Sequence, residues 1–294
     1  METLDLNVDI QKAILQDMLM RFLSEDVGME DITTRAVIPE GTEARAQVIV
    51  KERAVVAGVE EIRLLFEMLG LKVRRALRDG VEVEPGTTIM EVSGDARTIL
   101  TAERTALNIL MRMSGIATAT RRLVEKVREA GLKTKIAATR KTAPGLRYLD
   151  KKAVEVGGGD PHRFRLDDAV LIKDNHIAIV GGVDEAVRKA RESVSFAKKV
   201  EVEVRTLDEA LEAARSGADI IMLDNMTVED VESTLRMLER EGLRDKVLIE
   251  VSGGITEENL LQYAKLEPDI ISVGSLTHSV KAVDISLEVL GVQG

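Results

Sequence analysis

Two adjacent cations, Arg140 and Lys141, stand in "IAATRKTAPG" where a short apolar run gives way to Thr142 and then Pro144–Gly145. Ordinary loop cations would be solvated there; a cation carried on the end of a buried segment needs an anion to meet it. Lys173 repeats the pattern after the aliphatic run "AVLI". His162 and Arg163 follow three glycines in "GGGDPHRF", which suits an anion contact on a flexible approach. The acids come from two other segments. Period-two alternation in "VEVEV" sends Glu201 and Glu203 to the same side of a strand, with Glu203 nearer its end and Glu201 paired deeper. Asp224 ends "DIIMLD", as a surface cap or as a contact for a hydroxyl or a hydrated metal.

Glycine adds a third kind of chemistry. In "SGGITEEN", Ser252, Gly253 and Gly254 let the backbone approach a ligand closely, and Thr256, Glu257 and Glu258 are expected to begin a helix. A Gly-rich turn that feeds a helix N-terminus offers N–H groups to an anion. "SVGSLTHSV" brings Gly274, Ser275 and His278 beside it, although glycine at both places could also mark tight turns alone. The chain has three histidines and no cysteine, and the histidines lack metal-ligand spacing, which argues against zinc. His176 in "KDNHI" reads as structural. A multiply charged anion fits this set, with the acids left to handle hydroxyls or a hydrated Mg²⁺.

These residues need elements that bring them to one place. From about residue 116, short aliphatic runs alternate with helical-period segments. The expected strands are Lys135–Thr139, Ala169–Lys173, Val200–Val204, Asp219–Asp224, Val247–Val251 and Asp269–Val273. Helices such as "TLDEALEAARSG", with Thr206 and Asp208 as cap candidates and a stop at Gly217, lie between the later ones. Single-helix crossovers imply parallel strands, and six such units in an α/β chain point to a (β/α) barrel, complete or incomplete, more than to an open sheet. Each strand runs out in polar or Gly-rich residues, where such barrels carry their sites. Residues 1–115 do not keep that beat. A helix over about Ile10–Ser24, strands at "ARAQVIVKE", "LKVRRALRDG" and "TTIMEVSG", and helices at "VEEIRLLFEML" and "ILTAERTALNILMRMSG" make a smaller α+β domain. The barrel takes 116–278, and a segment of about 279–294 is free to pack back on the first domain.

Composition narrows the function. The chain has 294 residues, 45% hydrophobic, enough for a large core. Its net charge of −10 and 2% aromatic content argue against nucleic acid as a partner. No apolar run is long enough for a membrane span, and "METLDLNVDIQ" carries acids where a signal peptide has bases, so a cytoplasmic location is expected. Absent cysteine also removes a thiol nucleophile.

The ordered motifs "ERTALNILMRMSGIAT", "ATRKTAPGLR", "GGGDPHRF", "DAVLIKDNHI", "VEVEV", "IIMLDN", "SGGIT" and "ISVGSLTHSVKAVDISL", with "EDVGMEDITT" near the N-terminus, closely resemble the quinolinate phosphoribosyltransferase family. Departures are small: Glu30 where glycine is usual, Ala143 where threonine is common, and Val251 where a small residue is common. The resemblance implies transfer from phosphoribosyl pyrophosphate to quinolinate, with loss of CO₂ and formation of nicotinate mononucleotide. It implies an incomplete (β/α) barrel, Mg²⁺ as cofactor and a homodimer or higher homo-oligomer. Arg140, His162, Arg163 and Lys173 would bind quinolinate, joined by Arg104 from the partner subunit. Lys141, Glu203, Asp224, Ser252, Gly253, Gly254, Gly274, Ser275 and His278 would bind phosphoribosyl pyrophosphate. Glu203, Asp224, Lys141 and Lys173 would carry catalysis, the two acids holding the metal through water. Rival readings are transfer to a mono-acid base such as nicotinate, a sugar-phosphate aldolase with Lys173 as Schiff base, and a non-catalytic anion-binding protein.

Overall fold

The structure, a computed structural model, describes residues 6–293. It divides into two compact units: the chain up to Thr118 together with that from Lys281 onward, and Ala119–Val280. The first unit begins with α1 (Leu6–Val27), α2 (Ile32–Val37), β1 (Glu43–Val50), β2 (Ala54–Val55), α3 (Val59–Met68), β3 (Lys72–Ala76), β4 (Glu82–Val83) and β5 (Thr88–Asp95). Helix α4 (Ala96–Glu129) belongs to this unit up to Thr118. Helix α3 shows why such segments fold as they do. Val59, Ile62, Leu65 and Phe66 recur at helical spacing, and all four are buried.

The second unit continues with β6 (Lys135–Ala137), α5 (Arg147–Val156), β7 (Val170–Ile172), α6 (Asp174–Val180), α7 (Val183–Ser193), β8 (Val200–Val204) and α8 (Leu207–Arg215). It ends with β9 (Ile220–Asp224), α9 (Val228–Arg240), β10 (Leu248–Ser252), α10 (Leu260–Ala264), β11 (Ile270–Ser272) and α11 (Ser275–His278). The chain then returns to the first unit as β12 (Ile285–Gln293). There β12 pairs antiparallel with β1 in a sheet of order β12-β1-β5-β3, with Val50 opposite Ile285.

The six strands of the second unit are parallel, in the order β6-β11-β10-β9-β8-β7. The first two strands in sequence thus hold the two edges. Among the described residues they do not pair, which leaves the (β/α) barrel open between them. Asp160 makes a single parallel bridge to Ala137 in that opening.

Alternation along the strands separates two environments. Val200, Val202, Val204, Ile221, Leu223, Ile249 and Val251 join the apolar core with residues of the surrounding helices. Each such side chain, fully buried, stabilises the fold by about 1.5–3 kcal/mol. The intervening residues face the barrel interior, and there the strands carry Glu201, Glu203, Asp224, Glu250 and Ser252. In register, Glu203 lies opposite Met222 and Met222 opposite Glu250, while Asp224 lies opposite Ser252. The interior is therefore polar by period, not by exception.

Several expected boundaries shift. Strands β6 and β7 stop before Thr139 and Lys173, while β10 extends to Ser252. Of the two cap candidates, Thr206 caps α8: its hydroxyl accepts the Glu209 N–H at 3.2 Å, and the Glu209 carboxylate accepts the Thr206 N–H at 3.2 Å. Asp208 sits in the first turn. Residues 257–259 form a turn, so the helix expected from Thr256 begins only at Leu260. Helix α4 runs straight through Gly115, and that glycine serves packing instead. A Cβ there would collide with the carbonyl oxygen of Lys281, whose neighbour Val283 donates its N–H to Met111 O at 3.0 Å.

Candidate active site

The strand ends of the barrel surround a cavity of about 560 Å³ that opens to solvent. Arg140, Lys141, His162, Arg163, Lys173, Glu203, Asp224 and Ser252 all line it, together with Thr139, Leu171, Met222 and Glu250. These positions come from six separate segments of sequence, and parallel strand pairing is what gathers them.

The cations are not equivalent. Lys173, just past β7, donates to Glu203 Oε2 at 2.9 Å. Its backbone N–H goes to His176 Nδ1 at 2.9 Å, so His176 closes the start of α6 and is structural. Arg140, Lys141 and Arg163 form no ion pair among the described residues. Arg140 and Arg163 each keep a buried Nε without a partner. Burial, then the nearby Arg140 charge, lowers the pKa of Arg163. Two guanidinium groups held close, with buried donors to spare, describe half of an anion site.

The acids also differ. Glu203 is buried and engaged with Lys173. Asp224 is partly exposed, accepts the Asn225 side-chain amide at 2.7 Å and lies 3.7 Å from Arg205 Nε. Glu201 and Glu250 form a separate, deeper pair. Oxygens of Glu250 and Glu201 lie 3.2 and 3.4 Å from His162 Nε2. On the other side of the ring, Nδ1 accepts the Arg163 N–H at 2.8 Å. Burial alone would lower the pKa of His162, but hydrogen bonds to Glu201 and Glu250, and their charges, lift it to about 10. Burial, with the charge of Glu250 beside it, raises that of Glu201. Both ring nitrogens of His162 thus have protein partners, and the ring also lines the cavity.

The glycine segments lie near the cavity rim. Gly253 follows Ser252 with φ +92°, and a Cβ there would strike the Asn225 side chain. Asn225 donates its N–H to Ser252 O at 2.8 Å, so the ends of β9 and β10 are tied together. Gly254 also has positive φ. Any Cβ at Gly274 would lie 3.2 Å from the His278 ring and 3.6 Å from the Lys141 side chain, which brings those three residues together. Thr277 Oγ1 donates to Lys141 O at 2.9 Å, and Ser275 opens α11. The five-residue helix α10 is set back from the glycines, so the expected helix N-terminus does not stand behind them.

Arg104 lies on α4 within the first unit, with an exposed side chain 4.0 Å from Glu103. Glu250 was not anticipated from the sequence. The signal was available, because alternation back from Ser252 points to it, but "IEVSGG" draws attention to its glycines.

Metal-holding potential can be tested on the donors. Among the described residues, the one close set of three is His162, Glu201 and Glu250, and those groups already bond one another. Glu203 and Asp224 are hard oxygen donors on the cavity wall and, among the described residues, belong to no close set of three. That suits Mg²⁺, which keeps most of its water and takes one or two carboxylates plus substrate oxygens.

Comparison with known proteins identifies the surroundings of this site. Residues 31–114 match the family model described as quinolinate phosphoribosyl transferase, N-terminal domain, and residues 116–288 match its C-terminal domain. A probable nicotinate-nucleotide pyrophosphorylase [carboxylating] of Methanocaldococcus jannaschii is 52% identical over 277 residues, covering 94% of this chain and 97% of that protein. The human nicotinate-nucleotide pyrophosphorylase [carboxylating] is 40% identical over 86% of this chain and 84% of its own. The solved nicotinate-nucleotide pyrophosphorylase of Francisella tularensis superposes with a TM-score of 0.87 at 39% identity, covering 95% of this chain and 96% of that one.

Proposed function

Because this chain belongs to the quinolinate phosphoribosyltransferase family, we propose that its barrel cavity is where quinolinate and phosphoribosyl pyrophosphate meet. The protein transfers the phosphoribosyl group to quinolinate with decarboxylation, a step of NAD synthesis. The observation that carries the site assignment is the pair of unpartnered guanidinium donors at Arg140 and Arg163. A dicarboxylate supplies two anionic groups for two forks, where nicotinate would supply one.

The residues then take distinct parts. Arg140 and Arg163 bind the carboxylates and set the pyridine nitrogen toward the ribose carbon. Lys173, held by Glu203, adds a cation at the boundary between the two substrates. That contact already occupies its Nζ, which speaks against a Schiff-base role. Loss of pyrophosphate builds positive charge on the ribose carbon, and the carboxylates of Glu203 and Asp224 are preorganised to stabilise it. Lys141 faces the departing pyrophosphate, while Ser252, Gly253, Gly254, Gly274, Ser275 and His278 hold the ribose phosphate. After transfer the ring nitrogen is cationic, so the adjacent carboxylate departs as CO₂ and leaves its electron pair on the ring carbon beside a positive centre, where a proton from water then forms the C–H bond of nicotinate mononucleotide. Mg²⁺, held through water by Glu203 and Asp224, would neutralise pyrophosphate charge. The reading extends to a cytoplasmic homodimer or higher homo-oligomer in which the partner's Arg104 completes the quinolinate pocket.

Product analysis tests this directly. Purified protein given phosphoribosyl pyrophosphate, Mg²⁺ and quinolinate should release pyrophosphate, CO₂ and nicotinate mononucleotide in equal amounts, and nicotinate should not replace quinolinate. Arg140→Ala should lower kcat/KM for quinolinate by about two orders of magnitude or more with an unchanged melting temperature. Near-normal turnover by that variant would remove Arg140 from the site.

A further inference from the structure

His162 has φ +54°, a left-handed backbone that costs a non-glycine residue energy unless its surroundings impose it. Those surroundings are specific. Asp160 Oδ1 accepts the His162 N–H at 2.8 Å. The buried Lys151 ammonium donates to the carbonyls of Pro161 and Arg163, the latter at 2.8 Å. From the barrel interior, Glu201 on β8 and Glu250 on β10 hold Nε2 of the ring, while Nδ1 receives the Arg163 N–H. Arg163 NH1 is in turn fixed on Ala169 O at 2.9 Å. A continuous chain of hydrogen bonds thus runs from two buried carboxylates, through one imidazole, to the backbone of an arginine on the cavity wall.

The acid pair is a poor device for stability. Glu201 and Glu250 are 1% and 0% exposed, and each keeps one oxygen without a partner. Packed apolar side chains in their place would match or exceed their contribution to folding. Their effect lies in the ring they orient.

We propose that Glu201 and Glu250 are positioning residues for quinolinate binding, which hold the His162 ring so that the turn at residues 160–163 presents Arg163 to the substrate carboxylates. This rests on the assignment of Arg163 to quinolinate above. Neither acid needs to touch phosphoribosyl pyrophosphate, so the two substrates should respond differently to their loss.

Steady-state kinetics on two isosteric double variants test the idea. Glu201→Leu/Glu250→Leu removes both acceptors and should raise KM for quinolinate about tenfold or more, with KM for phosphoribosyl pyrophosphate within about twofold. Glu201→Gln/Glu250→Gln keeps an amide oxygen for Nε2–H and should stay within about threefold of the parent for quinolinate. An unchanged quinolinate KM in the leucine pair, equal rises for both substrates, or equal effects in the two pairs would each overturn the proposal. Nitrogen-15 NMR of the imidazoles needs no variant, since the chain has only three histidines. The Nε2–H of His162 should exchange with water more slowly than the ring protons of His176 and His278, and an equally fast exchange would overturn it. Arg163→Lys separates the two layers. A normal quinolinate KM there sinks the substrate assignment, whereas a raised one beside an indifferent leucine pair sinks only the role of the acids.

Discussion

Lys151 shows how one residue can be held far from its solution chemistry. The side chain is fully buried on α5, with its ammonium 5.4 Å from the centre of the Phe164 ring. Burial, followed by the repulsion of Arg147, brings its pKa down to about 8 from the ordinary 10.5. The sign of the resulting pH dependence follows from proton counts. Between about pH 8 and 10.5 the unfolded chain keeps a proton on this lysine that the folded chain has released, so raising pH favours the fold. Below pH 8 both states are protonated and the full cost of burying the charge is present. Wild type should therefore gain stability relative to Lys151→Met across that window, by up to about 1.4 kcal/mol per pH unit. Urea unfolding of both proteins at several pH values measures the difference, and a difference independent of pH would show that Lys151 is not desolvated. The same site shows that residue-level chemistry is only partly legible in a sequence. Arg140 and Lys173 could be found because each stands at the end of an apolar run, where a charge needs a reason, and Glu203 because strand alternation points to it. Lys151 gave no such sign, because its neighbours in sequence are not its neighbours in space, whereas the alternation that points to Glu250 is masked by the glycines after it.

Elements were easier to read than their ends. All six barrel strands were expected, because a buried parallel strand needs a run of aliphatic residues and helices cannot supply one so short. Strand β12 was missed as a strand. Its partner β1 lies more than two hundred residues away, and only its return to the first unit was anticipated as an option. The turn at "SGGITEEN" misled in another way. Asn259 Oδ1 accepts the Thr256 N–H at 2.8 Å, so a side chain closes the turn and delays the helix to Leu260. Gly115 makes the cost of such tertiary contacts measurable. In an open helix, glycine to alanine stabilises by about 1 kcal/mol. Here the methyl group would meet the backbone of Lys281 and Ala282, which cannot give way as a flexible side chain could. Gly115→Ala should instead destabilise by about 1–3 kcal/mol. Amide exchange should quicken along β12, since Val283 is tied to Met111 close by. A stabilised variant would mean that this contact is soft.

At the scale of the whole molecule, the proposed role of Arg104 leads to assembly. That residue sits on α4 in the first unit, whereas every cavity-lining cation belongs to the second. A third cation suits quinolinate, which brings two carboxylates to the cavity and keeps one after CO₂ leaves. If the partner's Arg104 supplies it, the enzyme must work as an oligomer, and inactive chains should rescue one another. Dual-tagged mixed dimers can be isolated in which one chain carries Arg104→Ala and the other Lys173→Ala. With Arg104 acting across the interface, one of the two sites in each mixed dimer collects both lesions and the other collects neither. Activity should then return to about half that of wild type per dimer, as two equivalent sites require. With Arg104 acting within its own chain, each site keeps one lesion and the mixed dimer stays as inactive as its parents. The parent homodimers, assayed beside it, give the baseline against which that recovery is read.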